Sequence, residues 1–107
     1  MDAGAYVGTF AAAALEEGAA RVYCYEPAPK NANRLRDNLR RYADRAVVVE
    51  AALIGERDEA VSLRLSGFDG AHQTEFAVTS DAPKRSITVS AVYFRDQLLH
   101  ICPDVLK

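Results

Sequence analysis

Segments with helical periodicity alternate with short β-rich apolar runs along this chain, and that order confines it to an α/β architecture with a largely parallel sheet. Neighbouring parallel strands need a crossover between them, and a helix normally supplies it. Asp2-Ala3-Gly4-Ala5-Tyr6-Val7-Gly8 is a glycine-punctuated turn, and Thr9 to Glu17 follows as an alanine-rich helix ended by Gly18. Arg21 to Tyr25 is a short buried-type strand that Glu26-Pro27-Ala28-Pro29 stops. From Pro29 to about Tyr42 the spacing predicts an amphipathic helix, with Ala32, Leu35, Leu39 and Tyr42 as its apolar stripe. Arg34, Arg36, Asp37, Arg40 and Arg41 form its solvated face.

Ala46 to Leu53 reads as a second buried strand and Val61 to Leu65 as a half-exposed one. Gly67 to Lys84 has little periodicity and is expected to be a long loop. Ile87 to Val92 reads as a strand, Tyr93 to Ile101 as a short helix, and Val105-Leu106-Lys107 as the start of a last strand. At 107 residues, with half of them hydrophobic and 26% charged, the whole chain fits one domain of ordinary globular composition.

Bulk properties remove several function classes. A net charge of −2 gives no global positive field, so nucleic acid is not expected as a partner. The apolar run Phe10 to Leu15 is far below the roughly 20 residues of a membrane span and follows no basic segment. No membrane partner and a cytoplasmic location are therefore expected. Cys24 and Cys102 stand far apart, with no CxxC and no histidine at metal spacing, so no metal site is expected and both thiols should be reduced.

The chemistry concentrates near the start. In parallel sheets ligands bind beyond the carboxyl ends of the strands, where glycine turns let the backbone approach closely and helix N-termini favour negative charge. Asp2-x-Gly4-x-x-x-Gly8 occupies such a position. Glu26 ends the next strand roughly 20 residues downstream, the spacing at which an acid accepts hydrogen bonds from a ribose diol. Loop and acid together describe an adenosine site. A dinucleotide loop would place its second glycine where Tyr6 stands, and pyrophosphate would there meet a side chain.

Asp2-Ala3-Gly4-Ala5-Tyr6-Val7-Gly8, then Glu26-Pro27-Ala28-Pro29, then Val49-Glu50-Ala51-Ala52-Leu53, in this order and spacing, resemble the FkbM-type class I S-adenosylmethionine-dependent methyltransferases. The resemblance implies a Rossmann-like sheet with S-adenosyl-L-methionine as cofactor and methyl transfer to an oxygen of a small-molecule acceptor. It also implies that Asp2, Gly4, Tyr6 and Gly8 surround the methionine moiety, that Glu26 holds the ribose, and that Ala51 and Ala52 flank the adenine.

This chain departs from the family pattern in two places. Only Met1 precedes the Asp-x-Gly loop, and the chain ends at Val105-Leu106-Lys107. Residues 1–107 are thus expected to form a partial cofactor-binding domain, inactive alone, with the catalytic residues beyond Lys107. The alternatives are a non-catalytic adenosine-binding remnant and, disfavoured by Tyr6, a nicotinamide-dependent oxidoreductase fragment. His72, in the glycine-rich loop, is a candidate base. His100, on an apolar helix, is expected to be structural.

Overall fold

The computed structural model describes residues 1–55, 61–64, 73–75 and 86–107, and they form a small mixed α/β domain with three α-helices. Strand β1 (Asp2–Ala3) leads through helix α1 (Thr9–Glu16) to β2 (Val22–Tyr25). Helix α2 (Pro29–Asn38) and a 3-10 turn at Arg40–Tyr42 then lead to β3 (Ala46–Val49). The three strands form a parallel sheet in the order β1-β2-β3, with Asp2 opposite Cys24 and Tyr25 opposite Val49.

Both helices cover one face of this sheet. Leu15 from α1 packs with Leu35 and Leu39 of the second helical segment against Val22 and Cys24, and all five are essentially buried. Burying each leucine contributes about 1.5–3 kcal/mol, so the stripe predicted from periodicity is what seats α2. The arginine face opposite it is exposed. Arg41 pairs with Glu16, and Arg36 with Glu50 at 3.0 Å. Arg45 donates to the Leu15 and Ala19 carbonyls, which ties the start of β3 to the end of α1.

The run Ala46 to Leu53 is not one strand. After β3 the Ala51 N–H turns back to the Val49 carbonyl, and the Ala52 N–H goes to Ser90 at 2.8 Å. The chain thereby exchanges one sheet for another: β4 (Ala52–Ile54) pairs in parallel with β8 (Ala91–Tyr93), not with β2. The other β-rich run is divided in the same way. Ser86–Val89 forms β7, antiparallel to β5 (Val61–Arg64), before Ser90 passes the chain on to β8. Part of the expected loop is also ordered backbone, since β6 (Gln73–Glu75) pairs antiparallel with β5. The remaining positions of that loop, His72 among them, lie outside the described residues.

Helix α3 (Phe94–Ile101) follows β8 and ends at Cys102, which adopts φ 47. His100 is exposed on its last turn, so it does not pack as a core residue. The final residues then lie beside β1: Ala3 donates to the Lys107 carbonyl at 2.8 Å, Lys107 donates to the Met1 carbonyl at 3.0 Å, and the Met1 ammonium reaches the Val105 carbonyl at 2.7 Å. This alternation is that of a parallel ladder, so β1, short as it is, has neighbours on both edges. Among the described residues no helix is long and apolar enough to cross a membrane.

Candidate functional site

The turn between β1 and α1 is bent sharply and held tightly. Gly4, Tyr6 and Gly8 all have positive φ, at 71, 54 and 89. For tyrosine this conformation is unfavourable and requires compensating contacts. They are present: the Gly4 and Ala5 N–H groups both donate to the Tyr25 carbonyl, at 3.0 and 2.9 Å, and Asn38 donates to the Val7 carbonyl at 2.9 Å. The Tyr6 N–H meets the Glu26 carboxylate at 2.9 Å.

Glu26 is the pivot of the site. It lies just past the carboxyl end of β2 and its N–H bonds to the Val49 carbonyl. Its side chain is 5% exposed. Oε2 accepts from Tyr6 and Oε1 from Ala28 at 3.0 Å. Each carboxylate oxygen has two lone-pair sites, so one position on each remains for further donors. The acid therefore holds the loop and the entry to α2 together while keeping capacity to bind.

A cavity of about 240 Å³ opens here, with Gly4 and Tyr6 on one side, Glu26 and Pro27 at the strand tip, and Ala51 and Ala52 on another. Five of the residues singled out from sequence thus line one cavity. Tyr25, also in that lining, is buried and donates from its hydroxyl to Gln97 of α3 at 2.7 Å. Burial, with Tyr23 nearby, pushes the Tyr25 phenol above its ordinary value.

The chain matches no protein-family model, no curated protein and no solved structure.

The other two residues singled out from sequence stand elsewhere. A Cβ on Gly8 would lie 2.5 Å from Leu35 Cδ1, so this glycine is needed where the α1 N-terminus crosses α2. Asp2 is fully buried in β1, beneath the loop. Its Oδ1 accepts from Lys107 Nζ at 2.9 Å, and its Oδ2 has no partner among the described residues. Opposite it in the sheet, Cys24 has its thiol pushed up to about 12, chiefly by burial and secondly by the Asp2 charge. Such a thiol stays protonated and unreactive.

Of the cavity residues not singled out from sequence, Asn31 has a buried side-chain oxygen, Oδ1, without a partner among the described residues. It lies in the first turn of α2 at 1% exposure. A buried acceptor left unmade costs about 1–3 kcal/mol. Its signal in the sequence is its place four residues before Leu35, a polar side chain on the apolar stripe. No group of three or more metal-ligating side chains occurs among the described residues.

Proposed function

We propose that this chain binds S-adenosyl-L-methionine beyond the carboxyl ends of β1 and β2 and belongs to a methyltransferase of the FkbM-like, Rossmann-like class I kind. The observation that carries this reading is the Glu26 carboxylate, buried at a strand tip, holding the glycine turn through Tyr6 and retaining one free acceptor position on each oxygen. That is what a vicinal diol requires of its partner. Ala51 and Ala52 add small side chains to the lining, which leaves room for a purine.

The cavity of about 240 Å³ is slightly below the roughly 300–1,000 Å³ of pockets that enclose whole drug-sized ligands. It suits the nucleoside part of the cofactor, with the methionine part extending past Gly4 and Tyr6. Asp2 then serves this part from below, by fixing β1, and not by contact. When bound, S-adenosylmethionine would supply an electrophilic methyl group on its sulfonium, to be displaced by an oxygen of a small-molecule acceptor as the S–CH3 bond breaks and S-adenosylhomocysteine leaves. The chain's contribution is to hold the adenosine rigidly, so that orientation supplies much of the catalytic effect. A nicotinamide dinucleotide fits less well, because Tyr6 places a side chain where pyrophosphate needs bare backbone.

Calorimetry with S-adenosylhomocysteine tests the reading. Glu26→Ala and Glu26→Gln are expected to weaken binding about tenfold or more relative to wild type. Equal affinities, or tighter binding of NADH than of S-adenosylhomocysteine, would overturn it.

A further inference from the structure

Adenosine brings two kinds of donor into a cavity: the ribose hydroxyls and the exocyclic amine of the base. At Glu26 the two unused acceptor positions match the two hydroxyls, and no acceptor capacity is left there for the amine. The same cavity contains one more buried acceptor without a partner among the described residues, Asn31 Oδ1. The lining of that cavity also includes the apolar residues Pro27, Ala51, Ala52, Leu53 and Leu63. An amide carbonyl placed in such surroundings has a demand that a ligand donor can meet. The terminal torsion of asparagine is soft, so the amide can turn to present its oxygen and nitrogen side by side.

We propose that Asn31 reads the base. Its side-chain carbonyl accepts from the adenine amine and its NH2 donates to the adjacent ring nitrogen, the bidentate match of asparagine to adenine. Taken along the N6/N7 edge of that match, hypoxanthine presents two acceptors, O6 and N7, so one of the two bonds is lost and an acceptor is left facing an acceptor. Asn31 is thus a specificity-determining residue for the adenosine site, and this inference rests on the S-adenosylmethionine reading above.

The test compares S-adenosylhomocysteine with S-inosylhomocysteine on the full chain, for wild type, Asn31→Ala and the similarly sized Asn31→Leu. What is read is the ratio of the two affinities within each protein, which a partial loss of folded protein does not alter. Wild type should prefer S-adenosylhomocysteine by about tenfold or more, and both variants should bring the ratio close to one. If the variants retain the wild-type ratio, or if wild type binds both compounds equally, Asn31 does not read the base while the cofactor reading stands on the binding itself. If wild type binds neither compound, both inferences are overturned.

Discussion

The two ends of the parallel sheet differ in a way that separates volume from chemistry. At the amino ends of the strands a cavity of about 720 Å³ lies between α1 and the segment leading to Lys107, lined by Met1, Phe10, Val22, Ile101 and Val105 among others. The carboxyl-end cavity has a third of that volume. Yet the turn with three positive-φ residues, the doubly engaged Glu26 and the unpartnered Asn31 are all at the smaller one, whereas among the described residues the larger one has a single left-handed residue, Cys102. Apolar volume at a sheet end only reports what is not covered, as exposed Leu99, Val105 and Leu106 do nearby. Backbone strain and unmet polar groups cost stability, and their concentration in one place points to a site.

The largest expected effect separates the glycines of the carboxyl-end turn. Gly8→Ala must accommodate a Cβ against buried Leu35 at φ 89 and should lose roughly 2–4 kcal/mol of stability. Gly4→Ala meets nothing within 4 Å and carries only the conformational cost, about 1–2 kcal/mol. Urea unfolding of the two variants measures this difference. Equal losses would mean that the turn does not pack against α2 as described.

Between the two ends, Asp2 and Lys107 link the start of the sheet to its last residue. Lys107→Met leaves the buried carboxylate without its ion pair and should cost roughly 1–3 kcal/mol. The same denaturation experiment checks it, and an unchanged midpoint would show that the terminal segment does not seal β1.

A graded effect, smaller per unit of pH, comes from Cys24. Its thiol is raised from 9.0 to about 12 by burial, so between those values the unfolded chain releases a proton that the folded chain keeps. The unfolded state then binds fewer protons, and stability falls as pH rises through this window, by at most about 1.4 kcal/mol per pH unit. Cys24→Ala should flatten that slope. An identical slope in the variant would place the thiol in a more solvated setting.

Local chemistry made part of this molecule legible in advance. The Val22–Tyr25 run and the Ala32-Leu35-Leu39 stripe declare themselves by side-chain type and spacing, and Glu26 by its place between a strand and two prolines. Partner choice over long distances was not legible. Nothing in Ala46 to Leu53 shows that Ala52 bonds to Ser90, or that the Asp2 carboxylate is neutralised by a residue 105 positions away. Asn31 was concealed differently: a polar residue in an amphipathic helix is read as solvated unless its angle on the stripe is checked. Gly8 and Gly4 look alike in sequence, and only the position of Leu35 gives them separate tasks.

The central claim, that ligand binding belongs to the smaller and more polar end of the sheet, is tested most directly by amide chemical shifts during titration with S-adenosylhomocysteine. Shifts are expected at Gly4, Tyr6, Asn31, Ala51 and Ala52, with Ala14, Ala19 and Val22 unmoved. Shifts confined to Ala14, Ala19, Val22 and Ile101 would contradict the account and move the site to the other end.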